Sequence, residues 1–350
     1  QADDTLQSRV DKTIRPLMAE HAIAGMAVAI THNGQAHYFN YGVARLDDQQ
    51  PVNSDTLFEI GSLSKPLTAT LAALAQATGK LTLNDSAGQH WHELQGSKLE
   101  HASLLNLGTY TAGGLPLQFP DNVTDPASML AYYRQWQPEY AAGTHRRYSN
   151  PSIGLLGYLT ARSMGQPFPT LMEGTLFPAL GMSHSYIQVP AQQMPRYAYG
   201  YSKDNQPLRV TPGMLDAEAY GVKTTAKDML RFVQANLSPA SLNKDLQRAI
   251  TITQTGYYRV SEMTQGLGWE RYTYPISLER LQAGNAPAMV LEAQQVTRLL
   301  PPEYDAQNSL FNKTGSTGGF GAYAVFVPSQ NLGLVMLANK NYPNAARIEA

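Results

Sequence analysis

The chain has 350 residues, of which 43% are hydrophobic and 15% charged, a composition typical of a compact globular enzyme with room for two lobes. A net charge of −1 without a basic tract argues against nucleic acid or an anionic membrane surface as a partner. No apolar run approaches the roughly 20 residues that span a bilayer. The lack of cysteine excludes disulfides, thiolate metal ligands and a cysteine nucleophile.

The first predicted elements are a helix and a β-hairpin. The apolar residues of the helix recur every four positions: Leu6, Val10, Ile14 and Met18. The hairpin joins the apolar runs 26–31 and 36–43 through Asn33-Gly34, a dipeptide typical of tight hairpin turns. The N-terminal segment is therefore expected to pair a surface helix with two antiparallel strands.

The next element is a helix that begins near Ser62 and ends before Gly79. Its apolar residues again follow helical spacing: Leu63, Leu67, Leu71 and Leu74. Ser62 would lie at the positive end of the helix dipole, and Lys65, three positions later, would share its face. A hydroxyl beside an amine at that position is a candidate nucleophile with its base.

The remaining chain predicts helices followed by strands. Residues 80–265 alternate helical patterns with loops, and four strands are expected at 267–272, 310–314, 322–327 and 332–339. Strands at both ends indicate an α+β fold whose antiparallel sheet is built from the N- and C-terminal strands and flanked by helices. We expect one domain from residues 1–79 and 266–350, a mostly helical domain from 80–265, and an active site in the cleft between them.

Three short motifs could carry chemistry, although none is specific alone. The S-x-x-K spacing of Ser62 and Lys65 also occurs at Ser241 and Lys244, and Y-x-N occurs three times. Tyr148-Ser149-Asn150 is predicted on a loop before a helix, and Lys313-Thr314-Gly315 at the end of an apolar strand. Catalytic groups commonly come from such different element ends.

A zinc site is the competing interpretation of the eight histidines. His90-Trp91-His92-Glu93 contains an H-x-H pair, but Leu94 occupies the place where a carboxylate would complete the usual motif. The sequence also lacks H-E-x-x-H. We therefore expect surface histidines, no metal and no cofactor.

In combination, the motifs and their surroundings resemble class C β-lactamases, the serine cephalosporinases of the penicillin-recognising serine enzymes. The resemblance runs nearly end to end and rests on these stretches: 58–65 (FEIGSLSK), 110–118 (YTAGGLPLQ), 148–152 (YSNPS), 217–223 (AEAYGVK), 312–320 (NKTGSTGGF) and 339–344 (NKNYPN). Class A relatives use a Glu base in a loop after their S-D-N motif. This chain has no Glu between Glu173 and Glu218, so it lacks that base, which favours class C over class A.

The resemblance implies that Ser62 attacks the β-lactam carbonyl and that water hydrolyses the acyl-enzyme, which would confer β-lactam resistance. Tyr148 would relay protons, with Lys65 and Lys313 lowering the pKa of its phenol; alternatively, Lys65 would be the base. The residues leave that choice open. The backbone N–H groups of Ser62 and Ser316 would form the oxyanion hole.

The resemblance also implies how the substrate is held. Lys313, Thr314, Asn344 and Arg347 would bind its carboxylate, whereas Asn150, Gln118 and Tyr220 would contact its side-chain amide. The expected partner is a small-molecule β-lactam, with no nucleic acid, membrane or second subunit. Because the chain begins Gln1-Ala2-Asp3, we expect a periplasmic protein whose signal peptide has been removed.

Two other functions compete with β-lactam hydrolysis. A D-alanyl-D-alanine carboxypeptidase or a related serine esterase would use the same nucleophile, although related esterases usually lack the lysine found here at Lys313. A non-hydrolytic penicillin-binding protein is the least favoured alternative.

Overall fold

The computed structural model describes residues 2–350 and contains a nine-stranded antiparallel sheet. Its strands are β1 Gly25–His32, β2 Gln35–Gly42, β3 Gly256–Val260, β4 Met263–Gln265, β5 Glu270–Thr273, β6 Thr297–Glu303, β7 Ser309–Ser316, β8 Gly321–Val327 and β9 Leu332–Ala338. Their order across the sheet is β6-β3-β4-β5-β7-β8-β9-β1-β2. The N-terminal hairpin is therefore joined to the C-terminal strands through the pairing of β1 with β9.

The part of the chain that the structure describes contains six longer helices. They are α1 Ala2–His21, α2 Lys65–Ala77, α3 Pro126–Gln135, α4 Asn150–Met164, α5 Ala226–Leu237 and α6 Lys244–Gln254. Shorter helices are Ala87–His90, Leu104–Gly108, Phe168–Leu171, Phe177–Ala179, Asp216–Tyr220, Leu278–Gly284, Pro287–Leu291 and Asn344–Glu349.

The remaining elements are short. The 3-10 segments are Gly61–Ser64, His92–Leu94, Ala191–Arg196, Pro239–Ser241, Ala306–Asn308 and Pro328–Gln330, and Met172–Leu176 forms a π-helical turn. Two-residue strands pair in three small sheets: Phe58–Glu59 with Lys223–Thr224 and Ser185–Tyr186, His145–Arg146 with Gln294–Gln295, and Gly200–Tyr201 with Pro207–Leu208.

Alternation along the strands divides the core between the two faces of the sheet. In β1, Met26 and Val28 pack with α1 on one face, whereas Ala27 and Ala29 belong to the core on the other. Side chains alternate in this way because the period of a strand is two residues. Helices therefore cover both faces of the sheet. α1 packs on the face of Met26 and Val28, whereas α2 and α5 contribute to the core on the face of Ala27 and Ala29.

The central helix α2 is buried along most of its length, from Lys65 to Ala75. Pro66 fits its first turn, where backbone N–H groups have no helical partner to lose. α2 packs against α4 and α6 and so lies between the sheet and the helical part of the chain. A catalytic group at its N-terminus is consequently held by both.

The predicted fold class is confirmed, including the hairpin, in which Asn33 and Gly34 have φ of 50° and 85°. Two details differ. The sheet takes strands from residue 256 onwards rather than from about 266, and β5 begins at Glu270 rather than at Leu267. Gly268 has φ 86° and its backbone packs against Pro66, which keeps this segment out of the sheet. The two-domain division itself stays a prediction.

Candidate active site

The nucleophile candidate Ser62 lies in the 3-10 turn Gly61–Ser64, directly before α2. Gly61 has φ 53°, and a Cβ added there would lie 2.4 Å from the carbonyl oxygen of Ser316. A Cβ on Gly315 would lie 2.0 Å from the carbonyl oxygen of Ile60. Two glycines thus let the turn and β7 touch backbone to backbone, which makes Ser62 and Ser316 close neighbours.

Lys65 is fully buried, and its ammonium group donates to two oxygens. One is Ser62 Oγ at 2.7 Å, and the other is the carbonyl oxygen of Ala219 at 2.9 Å. Burial lowers the pKa of Lys65 to about 8, because desolvation penalises the charged amine more than the nearby Tyr148 stabilises it. An amine with this pKa is partly neutral closer to neutral pH than an ordinary lysine.

Tyr148 is also buried, and two ammonium groups lie over its ring. Lys65 Nζ and Lys313 Nζ are each 4.9 Å from the ring centroid. Burial alone would raise the pKa of the phenol, but the charges of Lys313 and Lys65 lower it to about 8. The neighbouring Ser62 hydroxyl and Lys65 amine lower the pKa of the phenol further, and Tyr148 lines the cleft described below.

The positions of Lys313 and Asn150 in their secondary-structure elements differ slightly from those predicted. Lys313 lies inside β7, which continues for three residues to Ser316, and its ammonium donates to the carbonyl oxygen of Thr314 at 2.9 Å. Asn150 is the first residue of α4 rather than part of the preceding loop. Ser149 caps that helix and accepts a hydrogen bond from the backbone of Ser152.

These elements surround one cleft of about 540 Å³. Most residues that were predicted to bind substrate line it: Gln118, Asn150, Tyr220, Thr314, Ser316 and Asn344, together with Ser62, Tyr148 and Lys313. Within the described chain, the lining contains Lys313 and Arg209 but no Asp or Glu. A cleft with this charge favours an anionic ligand.

Arg347 does not line the cleft, contrary to its predicted direct contact with a substrate carboxylate. Its side chain is 1% exposed and lies behind β7. Its guanidinium donates to protein oxygens: the carbonyls of Gly315, Ala322 and Tyr342, Ser316 Oγ and Asn341 Oδ1. Burial lowers the pKa of Arg347 to about 10, so it stays charged at neutral pH.

Glu59 is a cleft-forming residue that the sequence analysis missed. Its buried carboxylate accepts hydrogen bonds from Val210 N at 2.9 Å, from Thr317 Oγ1 at 2.7 Å and from the Tyr197 hydroxyl. Val210 and Thr317 line the cleft on separate segments, and Glu59 joins them. An acid inside the apolar run 57–60 was the available signal, because Glu is seldom fully buried without partners.

The described residues contain no group of three or more His, Asp or Glu placed to hold a metal ion. His90, from the H-x-H pair, instead lies 2.8 Å from Asp85. In the same part of the chain, no helix combines the length and the hydropathy needed to cross a bilayer.

The fold and the arrangement of Ser62 beside the buried Lys65 and Tyr148 define a penicillin-recognising serine enzyme. The Beta-lactamase family profile matches residues 10–350. A β-lactamase from Pseudomonas fluorescens is 57% identical over 341 residues, covering 97% of this chain and 95% of its own. This chain belongs to the β-lactamase family.

Solved structures confirm the resemblance to class C enzymes. A class C β-lactamase in complex with cefoxitin superposes with a TM-score of 0.97 at 47% identity, covering 100% of this chain and 98% of that chain. A protein described as D-alanine carboxypeptidase AmpC, from Burkholderia cenocepacia, superposes with a TM-score of 0.95 at 51% identity, with coverage of 100% and 97%.

Proposed function

We propose that this β-lactam hydrolase is a class C enzyme that works through an ester formed on Ser62. The observation that carries the proposal is the 2.7 Å hydrogen bond between Lys65 Nζ and Ser62 Oγ, beside a phenol flanked by two ammonium groups. A nucleophile in contact with an amine of lowered pKa is the arrangement that activates a hydroxyl at neutral pH.

In acylation, Ser62 Oγ attacks the lactam carbonyl carbon while its proton passes to neutral Lys65. The backbone N–H groups of Ser62 and Ser316 stabilise the oxyanion of the tetrahedral intermediate. The carbon–nitrogen bond of the ring then breaks, and the nitrogen takes the proton of the Tyr148 hydroxyl. The products of this step are an ester, a Tyr148 phenolate and a Lys65 ammonium.

Deacylation reverses these proton transfers. The Tyr148 phenolate takes a proton from water, whose oxygen attacks the ester carbonyl. Ser62 Oγ leaves with the proton of the Lys65 ammonium, and both side chains return to their neutral state. Lys65 and Lys313 stabilise the phenolate in between, which supports a role for Tyr148 as the base of this half-reaction.

The cleft supports a substrate that is anionic at one end and has an amide at the other. Lys313, Thr314 and Asn344 would hold the carboxylate, and Gln118 and Asn150 the side-chain amide, with Tyr220 flanking it. Asn150 Oδ1 is buried and has no hydrogen-bond partner among residues 2–350, which leaves it free to accept from an amide N–H.

Steady-state hydrolysis of a chromogenic cephalosporin, followed by intact-mass spectrometry, tests the proposal. Ser62→Ala should reduce kcat by at least about a thousandfold and abolish the mass increase of one acyl group, with an unchanged melting temperature. Ser241→Ala is the matched control because it alters the second S-x-x-K sequence. An acyl adduct on the Ser62→Ala variant would remove Ser62 as the nucleophile.

D-alanyl-D-alanine carboxypeptidase is the second candidate, favoured by the name of the similar Burkholderia cenocepacia protein. Such an enzyme would be acylated by a β-lactam and deacylate slowly. A stopped-flow burst of one equivalent without a steady state would support it. Continued turnover after the burst would support the β-lactamase.

The proposed setting is a periplasmic monomer with a small-molecule substrate and no cofactor. Cell fractionation tests the location, and light scattering tests the oligomeric state. EDTA should leave the rate of cephalosporin hydrolysis unchanged, whereas inhibition reversed by added zinc would show a metal requirement.

A further inference from the structure

Glu59 places a negative charge close to a cleft that favours anionic ligands. It lies three residues before Ser62, and it is 2% exposed, behind the cleft rather than in its lining. A carboxylate in this place opposes the binding of an anionic substrate. Its contacts show what it contributes in return.

The backbone of Glu59 belongs to the same short element as the turn that carries the nucleophile. Glu59 pairs with Lys223 in a small sheet, and the next residue, Ile60, donates from its backbone N–H to the carbonyl oxygen of Val222 at 3.2 Å. The turn with Ser62 follows directly. The position of Glu59 is therefore fixed relative to the backbone N–H of Ser62.

The carboxylate of Glu59 accepts hydrogen bonds from separate segments around the cleft. Oε1 accepts from Thr317 Oγ1 at 2.7 Å, whereas Oε2 accepts from Val210 N at 2.9 Å and from the Tyr197 hydroxyl. Burial and the charge of Glu59 raise the pKa of Tyr197 above its usual value, so this hydroxyl stays a donor. An ionised carboxylate accepts on both oxygens, which makes the three bonds charge-assisted.

Thr317 connects this carboxylate to the second half of the oxyanion hole. Ser316 is the last residue of β7 and pairs with Gly321 of β8, and Thr317 follows directly. The ladder of β7 ends there, so the Thr317 side chain supplies the next contact with the element that carries Ser62. Glu59 thus holds the chain immediately after Ser316.

We propose that Glu59 is a positioning residue for the oxyanion hole: through Thr317, its carboxylate sets the distance between the backbone N–H groups of Ser316 and Ser62. This inference rests on the proposed function, in which those two groups stabilise the oxyanion of the tetrahedral intermediate. A donor that moves away stabilises the transition state less, whereas the intact substrate is still held by the rest of the cleft.

Stopped-flow acylation with a chromogenic cephalosporin tests this role, because its concentration dependence separates the dissociation constant of the first complex from the acylation rate constant. Thr317→Val keeps the size of a half-buried side chain but removes the donor to Glu59. The acylation rate constant should fall roughly tenfold to a hundredfold, while the dissociation constant changes by less than about twofold. Thr317→Ser, which keeps the hydroxyl, should recover most of the lost rate.

Tyr197→Phe is the matched control. It removes a hydrogen bond to the same carboxylate, but Tyr197 lies outside the cleft lining and far from Ser316 in the chain. Both Thr317→Val and Tyr197→Phe should unfold at a lower urea concentration than the native enzyme. Only Thr317→Val should acylate slowly, and Tyr197→Phe should keep the acylation rate constant within about twofold of the native value.

Glu59→Gln tests whether Thr317 acts through Glu59. A neutral amide has one acceptor oxygen for donors that lie on both sides, so this variant should acylate more slowly than the native enzyme. Combined with Thr317→Val, the substitution should cost no further rate, because the contact between the two side chains is already lost.

Native acylation in a folded Thr317→Val variant would overturn the inference, and so would equal losses of acylation rate in Thr317→Val and Tyr197→Phe. A full additional loss in the double variant would do the same, since Thr317 would then act independently of Glu59. Failure of the proposed function differs from all of these results, because the native enzyme would then form no acyl adduct on Ser62.

Discussion

The buried ammonium of Lys65 donates a 2.7 Å hydrogen bond to the hydroxyl of Ser62, and the same nitrogen lies 4.9 Å from the ring centroid of Tyr148. The pKa values of the Lys65 amine and the Tyr148 phenol are both lowered to about 8. One pKa unit corresponds to about 1.4 kcal/mol, so groups matched in pKa exchange a proton at little cost in free energy. In the proposed mechanism, this match would let the site pass one proton to the ring nitrogen and recover another from water.

This match predicts a pH dependence of acylation. The native kcat/KM should follow a bell-shaped profile centred near pH 8, because acylation requires neutral Lys65 and the protonated Tyr148 hydroxyl. Tyr148→Phe removes a phenolate that raises the pKa of Lys65, so the rising limb should move to lower pH. The rate itself should fall by roughly a hundredfold to ten-thousandfold, because the ring nitrogen loses its proton donor. Stopped-flow acylation rates across the pH range measure both effects.

Tyr110→Phe is the control for that experiment, since the Tyr110 ring lies 4.9 Å from the Tyr148 ring and its burial holds the pKa of its hydroxyl well above the usual value. It should leave the limb at about pH 8. Disappearance of the limb in Tyr148→Phe would instead assign the base of acylation to Tyr148.

Replacing Lys313 should lower kcat/KM more for a substrate that carries a carboxylate than for a neutral one. Lys313→Ala should lower kcat/KM for a cephalosporin roughly tenfold to a hundredfold more than for its methyl ester, because a charge-assisted hydrogen bond to the carboxylate is lost. Both substrates should also lose rate in common, since Lys313 lowers the pKa of Tyr148. Lys80→Ala, at an exposed position after α2, should change neither rate. Equal losses for acid and ester would contradict the carboxylate contact.

The sequence predicted those parts of the site that depend on short-range geometry. Ser62 lies in the 3-10 turn that leads into α2, and Lys65, three positions later, begins α2, so their contact follows from helical spacing. Gln118, Tyr220 and Asn344 were predicted only through the resemblance to a known family. The structure places all three in the cleft lining, although their contacts with a substrate stay predictions.

The missed features depend on long-range contacts. Glu59 joins Tyr197, Val210 and Thr317, which are 138, 151 and 258 positions away, and no local pattern encodes that meeting. Arg347 was predicted to contact the substrate carboxylate only through the resemblance to a known family. Its burial follows from carbonyl groups that only the folded β7 and β8 bring together.

The backbone contact between Gly61 and Ser316 predicts a strong effect of one methyl group. In Gly61→Ala, the new Cβ would lie 2.4 Å from the Ser316 carbonyl oxygen, so β7 must move away from the turn. Because the oxyanion hole needs both backbones in place, kcat should fall by roughly a hundredfold or more. Gly79→Ala is the matched control, since Gly79 also has positive φ, 79°, but faces open space.

Urea unfolding measures the effect of each substitution on stability, and steady-state kinetics measure its effect on kcat. Gly79→Ala should lower the free energy of unfolding by about 1–2 kcal/mol, the cost of a left-handed conformation, without changing kcat. Gly61→Ala should lower both quantities. Native kcat in a folded Gly61→Ala variant would show that the separation of Ser62 and Ser316 does not matter for the reaction.

For Arg347 we predict equal losses of kcat/KM for a cephalosporin and its methyl ester, in contrast to the selective loss predicted for Lys313. Arg347→Lys keeps the positive charge but cannot reach all the acceptors of the planar guanidinium, which include the Gly315 carbonyl and Ser316 Oγ. We expect a loss of about 2–4 kcal/mol in the free energy of unfolding, because buried carbonyl oxygens lose their donors. Since Arg347 acts on the substrate only through β7, kcat/KM should fall by the same factor for a cephalosporin and its methyl ester. A loss confined to the carboxylate-bearing substrate would show that Arg347 reaches the cleft when the substrate is bound.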